Sequence, residues 1–280
     1  MRISVKVPNS NGVTPGQTAV WDLPIGRRYH SLQLEYSGVT LAQMSEIRIV
    51  ANGEVIQRYS AAERDSINQY DGRAAAAGIL VLPFDRFALY QQKGEEATAI
   101  QTGSADPKSG VAITNFKLEI DLVSAVYTPS IKITAEQSDN DPKNPGPGLI
   151  LRVMKYAYAF GAAGENEISD LPKGTEGPKF LMVNRAIFKA ANITNLKLER
   201  SNFVIFDRSK ALNERRQVDG VRAPQAGYVV FDPTEEGYDF EPVALVAPNG
   251  QPYQDFRYKL QMSGGETVTA LIEYLGTLQG

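Results

Sequence analysis

Apolar and polar residues alternate with a period of two along most of the chain, and the apolar positions are rich in β-branched and aromatic side chains. The runs include Leu32, Leu34 and Tyr36; Ile47 and Ile49; Ile113, Phe116, Leu118 and Ile120; Ile131 and Ile133; Leu196 and Leu198; Val268, Ala270, Ile272 and Tyr274. Side chains on a strand point alternately to its two faces, so each run predicts a half-buried strand of an antiparallel sheet. Asn52-Gly53 separates two such runs, which predicts a hairpin closed by a two-residue turn. Residues 1–8 alternate too, and read as a strand rather than as the charged and then apolar blocks of a signal peptide. Only residues 61–77 and 209–219 read as helix, with Ser60 and Ser209 placed to cap them. The fold class is therefore all-β, with short helical insertions.

Residues 139–148, Asp-Asn-Asp-Pro-Lys-Asn-Pro-Gly-Pro-Gly, cannot continue a helix or a central strand. A linker here divides the chain almost in half, which directs attention to internal duplication. At a constant offset of 149 residues, from Ile47 to Leu196, Glu46-Ile47-Arg48-Ile49 falls on Asn195-Leu196-Lys197-Leu198. Without a gap, Asn52-Gly53 then falls on Ser201-Asn202, Val55-Ile56 on Val204-Ile205, and Ser60 on Ser209. Upstream, the same offset sets Leu32 on Leu181 and Leu34 on Val183, with a gap between. Both copies read strand, turn, strand, serine-capped helix. We expect two β-sandwiches of one kind, a tandem or double jelly roll, with a first jelly roll over 1–140, a Pro/Gly linker over 141–148 and a second jelly roll over 149–280.

Composition narrows the functions such a scaffold could carry. Lys and Arg number 29 against 32 Asp and Glu, a net charge of −3, and the first twenty residues hold only Arg2 and Lys6. Neither a basic patch nor a basic arm for nucleic acid is visible at this level. Cysteine is absent, which removes disulfides, thiolate metal sites and cysteine nucleophiles. The longest apolar runs, 78–84 and 149–153, fall short of the roughly 18 to 20 residues of a membrane-spanning helix.

Candidate chemistry is sparse. His30 is the single histidine, so any Ser-His-Asp or histidine-base scheme must use it, and the sequence holds no nucleophile-elbow pattern to serve it. One His without Cys cannot build a histidine-rich zinc or iron site. Paired carboxylates of the glycosidase kind remain open; Glu95-Glu96 and Glu235-Glu236 are adjacent in loops, where side chains diverge, and Asp232, Glu235 and Asp239 are the loop carboxylates a hydrolase could use. Asp139 and Asp141 open like an oxygen-ligand calcium loop, but Lys143 stands where a third ligand belongs. No cofactor is expected, with structural calcium at subunit interfaces as the one exception considered. Residues 93–110 and 220–254 are candidate outward loops.

Leu23-Pro24-Ile25-Gly26, Tyr29, and Leu34-x-Tyr36-Ser37-Gly38-Val39-Thr40, continuing through Gln43 and Ile47-Arg48-Ile49 to Tyr59, resemble the major capsid proteins of PM2-like phages, the corticoviruses. The likeness returns at Ile272-Glu273-Tyr274-Leu275-Gly276, whereas the acidic Pro-Gly linker and residues 161–178 have no counterpart in it. The resemblance implies a double jelly roll of two eight-stranded barrels and a homotrimer whose six barrels make a nearly hexagonal tile. It further implies an icosahedral virion shell over an internal membrane, built from protein made in the host cytoplasm. Neighbouring capsomers, penton or minor capsid proteins and membrane proteins are the implied partners, without direct contact to nucleic acid. No catalytic role comes with it. The alternatives are a carbohydrate-binding sandwich using Trp21 or exposed Tyr as platforms, a glycoside hydrolase on the same scaffold, and a minor spike or penton protein of the same kind of virus.

Overall fold

The computed structural model describes residues 1–8, 12–87, 89, 91–125, 127–174, 177–235 and 241–278. The chain divides into two compact units, Met1–Val153 with Thr277–Gly280, and Met154–Gly276.

Unit 1 contains β1 (Ile3–Lys6), β2 (Thr18–Asp22), β3 (Arg28–Ser37), β4 (Met44–Ala51), β5 (Glu54–Tyr59), helix α1 (Ala61–Tyr70), β6 (Ile79–Pro83), the short helix α2 (Gln92–Glu95), β7 (Ile100–Gln101), β8 (Phe116–Leu122) and β9 (Ser130–Ser138). One sheet runs β1-β9-β3-β6, with β7 also on β3; its companion runs β5-β4-β8-β2. The chain repeatedly passes from one sheet to the other, which is the jelly-roll order. Alternation does the sorting: on β8, Phe116, Leu118, Ile120 and Leu122 are buried while the residues between them are half-exposed. Tyr29, Phe84 and Phe116 meet edge-on or tilted in the interior.

β10 (Ile150–Phe160) opens in unit 1 and continues in unit 2. It is followed by β11 (Gly164–Ile168), β12 (Met182–Lys189), β13 (Ile193–Arg200), β14 (Phe203–Ser209), helix α3 (Lys210–Gln217), β15 (Tyr228–Phe231), β16 (Val243–Ala244), β17 (Phe256–Met262) and β18 (Glu266–Gly276). In unit 2, β10, β18, β12 and β15 lie side by side in that order, and the other sheet runs β11-β17-β13-β14. The jelly-roll order of unit 1 is thus repeated, with the helix again after the fifth strand. Phe188, Leu196, Leu198, Phe231, Tyr258, Leu260 and Ile272 are among its core side chains.

The 149-residue offset survives in detail. Both hairpin turns use positive φ at both positions, Asn52 and Gly53 in one and Ser201 and Asn202 in the other, the geometry that matches the right-handed strand twist. Each hairpin also carries a bulge at the same place, between Ile49 and Val50 and between Leu198 and Glu199. Ser60 accepts the N–H of Glu63 and Ser209 that of Leu212, three residues on in each case.

Four expectations need correction. The first helix stops at Tyr70 rather than at residue 77, because Gly72 turns into the left-handed region and Asp65 Oδ1 accepts the N–H of Ala76, folding the chain back. Residues 220–254 are not all loop: Tyr228-Val229-Val230-Phe231 is a strand buried on both faces, so it shows no alternation. β18 is likewise not half-buried, being covered on both faces from Ala270 to Gly276. Residues 141–148 form no free tether. Gln101 donates to the carbonyls of Asn144 and Gly146 and accepts the N–H of Asp141, and Ser104 accepts that of Gly146; the segment belongs to unit 1, and the units divide after Val153.

Candidate functional site

His30, on β3, is buried, with Nδ1 3.0 Å from Asp85 Oδ2 and Nε2 2.9 Å from Ser138 Oγ at the end of β9. A Ser-His-Asp chain is therefore present that residue spacing did not reveal. Its surroundings are those of a structural knot: Arg2 reaches over from beside β1 to bond both Asp85 and Glu96, at 2.8 and 2.7 Å, and Arg28 donates to the Glu96 carbonyl. Burial raises the Glu95 carboxyl above its ordinary value, helped by Asp85. Burial acts on Glu96 as well, but Arg2 and Gln92 hold it below. The two neighbours diverge electrostatically because Arg2 hydrogen-bonds Glu96 directly and acts on Glu95 only through space.

The remaining chemical candidates are occupied by structural work. Trp21 is 1% exposed on β2 and cannot serve as a sugar platform. Asp232 is buried against Arg222 Nε at 3.1 Å and takes the hydroxyl of Thr234. Glu235 pairs with Arg208 at 2.6 Å; Glu236 and Asp239 lie outside the described residues. An open cleft of about 690 Å³ borders Arg208 and Glu235, but those two side chains already pair with each other. Asp139 pairs with Arg27. Asp141 accepts the N–H of Lys143 and the amide of Asn144, which together hold its carboxyl below the ordinary value. The two aspartates thus each bond protein donors, and among the described residues no three His, Cys, Asp or Glu side chains are grouped to hold a metal ion.

The positions that carry the family resemblance turn out to be fold determinants. Leu23 is buried. The Pro24 carbonyl accepts the Tyr29 hydroxyl at 2.5 Å, and Gly26, at positive φ beside the exposed Ile25, donates its N–H to Thr102. Tyr36 donates to the Ala76 carbonyl, Ser37 ends β3, and Val39 is buried. Gly38 has φ +65° with the Thr128 carbonyl where a Cβ would stand, and the N–H of Thr40 is taken by Gln43. In unit 2, Glu273 pairs with Arg185 and accepts from Asn184. Tyr274 meets Phe180 edge-on at 4.9 Å, and Gly276 packs against the Lys179 carbonyl.

What remains conspicuous is a surface rather than a pocket. Phe203, Val204 and Ile205 on β14, Leu212 on α3, and Val218 and Val221 just after it are all exposed.

Comparison with known proteins agrees with a coat role. The family model described as viral coat protein P2 N-terminal domain matches residues 4–138, and that described as viral coat protein P2 C-terminal domain matches 150–278. The chain is 24% identical over 285 residues to the major capsid protein P2 of Pseudoalteromonas phage PM2, covering 99% of this chain and 97% of that protein. The crystal structure of that phage's major capsid protein P2 superposes with a TM-score of 0.86 at 22% identity, covering 100% and 98% of the two chains. A chain from the atomic structure of Sulfolobus turreted icosahedral virus gives 0.70 at 12% identity, covering 99% and 91%, and one from the PBCV-1 virus capsid gives 0.61 at 8%, covering 98% and 93%. These likenesses establish the double jelly-roll fold, and with both halves matched by its two domain models, the chain belongs to the viral coat protein P2 family, a family of structural proteins and not of enzymes.

Proposed function

We propose that this protein is the major capsid protein of an icosahedral phage of the PM2 kind, assembling as homotrimers that tile the virion shell over an internal membrane. The observation that carries the reading is the duplication: a coat-family chain with one jelly-roll order built twice, down to the hairpin bulge and the helix-capping serine. Three such chains present six similar units, so a three-fold assembly fills a nearly hexagonal place in a shell. The near-neutral charge balance supports a coat that leaves the genome to other components. Neighbouring trimers, penton or minor capsid proteins and membrane proteins of the virion are its partners in this reading, and synthesis takes place in the host cytoplasm.

Light scattering across a dilution series tests it. The expected mass is three times 30.6 kDa, held on dilution, because permanent interfaces bury about 2,000 to 5,000 Å². A monomer at every concentration overturns the proposal. A trimer that dissociates on addition of a chelator and re-forms with added calcium, but not with magnesium, would assign calcium to the interfaces.

A further inference from the structure

The two units treat the same strand edge differently. In unit 1 the outer edge of β5 is occupied by Ile150–Val153, which belong to that unit. Val153 pairs parallel with Gln57, Gln57 donates to the Leu151 carbonyl at 3.3 Å, and Arg152 lies 2.9 Å from Glu54. β14 is the counterpart of β5, 149 residues on, and among the described residues it pairs only with β13. Burial registers the consequence. Ile56 is wholly buried, whereas its counterpart Ile205 is 39% exposed, beside Val204 at 52% and Phe203 at 74%. An apolar edge strand with unpaired backbone groups is a template for a further strand.

We propose that the open edge of β14 is covered by β1 of a second copy of this chain, added as a parallel strand in the way Ile150–Val153 covers β5. β1 is chosen by three observations. It is the first strand of the first jelly-roll order, as β10 is the first of the second. Among the described residues it is itself an edge strand, paired only with β9, with Ile3 and Val5 half-exposed. The charges also complement: Lys6 on β1 and Asp207 on β14 are both exposed, and neither has an ion-pair partner among the described residues. Arg2, bonded to Asp85 and Glu96, holds the strand in place for the contact. Because β14 of one copy meets β1 of the next, the interface is heterologous, and in the three-fold assembly proposed above it closes into a ring rather than a two-fold dimer. The identity of the partner rests on the coat-assembly reading; the open edge does not.

The absence of cysteine makes the test clean. The double variant Ser4→Cys/Val204→Cys, oxidised in the assembled state, is expected to run as covalent multimers up to closed rings on a denaturing gel, and each single variant as a monomer. Val204→Asp, at an exposed position that the fold does not require, is expected to lower the scattering mass to one chain with the circular dichroism unchanged. If the native protein is multimeric but the double variant does not cross-link and Val204→Asp keeps its mass, this edge is wrong while assembly stands. Single variants that cross-link as well as the double also overturn the pairing. A native protein monomeric throughout removes the assembly reading itself.

Discussion

Arg185 and Glu273 face each other across β12 and β18 as direct register partners, with Nη2 2.6 Å from Oε1 and side chains only 2% and 1% exposed. Asn184 donates to the second carboxylate oxygen at 2.7 Å. A charge sealed away from water depends on its partners, because neither can be rehydrated when the other leaves. Glu273→Leu is therefore expected to cost about 3 to 5 kcal/mol in denaturant unfolding, and Arg185→Met/Glu273→Leu together to cost less than the sum of the two single changes. Additive single effects would show that the pair is not coupled.

Two glycines with similar backbone angles separate conformational strain from crowding. Gly53 has φ +82° with nothing near the place of a Cβ, while Gly38 has φ +65° with the Thr128 carbonyl oxygen 2.0 Å from it. Gly53→Ala should cost about 1 kcal/mol, the penalty of left-handed backbone alone. Gly38→Ala must also displace main chain and should cost about 2 to 4 kcal/mol. Equal losses in thermal or urea unfolding would contradict the close approach at Gly38.

The residues that were legible in the sequence are those whose local geometry demands a particular side chain. Asn52-Gly53 and Ser201-Asn202 must take positive φ, and Ser60 and Ser209 must cap, so the duplicated hairpin and helix leave a mark. Residues 228–231 left none, because a strand covered on both faces loses its alternation. The packing of the Pro/Gly segment depends on Gln101, some forty residues away, and a polar side chain does not announce its partner. The resemblance positions announced a family but not their roles: Glu273 and Gly276 are explained only by Arg185 and the Lys179 carbonyl across the strand. The open edge of β14 left no mark of its own, since Val204-Ile205 read only as the counterpart of Val55-Ile56; its exposure emerges from comparison with β5.

A cluster on the sheet face of unit 1 sets an acid limit to stability. Arg48 lies 2.6 Å from both Glu46 and Asp121 and 2.9 Å from Glu119. The bond from Arg48 holds the Asp121 carboxyl below its ordinary value; Glu46 is pushed up by burial but held down further by Arg48 and Arg58. Carboxyls depressed in the folded state contribute stability that is present above the unfolded-state value, near pH 4, and is lost as pH falls through the folded one. Stability measured from pH 6 to pH 2 should therefore decline across the lower part of that range. Arg48→Met should flatten the decline while lowering stability at neutral pH. An unaltered acid limb in that variant would assign the decline to other carboxylates.

The Ser138-His30-Asp85 chain has hydrolase-like distances, yet its setting predicts a tether and no turnover. His30 is sealed within the sheet, Asp85 is shared with Arg2, and Ser138 Oγ also donates to the Asp139 carbonyl at 3.3 Å. A catalytic histidine must reach the substrate's leaving group, which a buried ring cannot do. A fluorophosphonate probe should leave Ser138 unlabelled, and Ser138→Ala should change stability by no more than about 1 kcal/mol. Asp85→Ala should do far more. It removes the acceptor common to His30 and Arg2, so the amides of β1 should exchange with deuterium faster than in the parent protein while those of β8 stay protected. Labelling of Ser138 would show a reactive nucleophile; unchanged exchange in β1 would show that Arg2 is anchored by Glu96 alone.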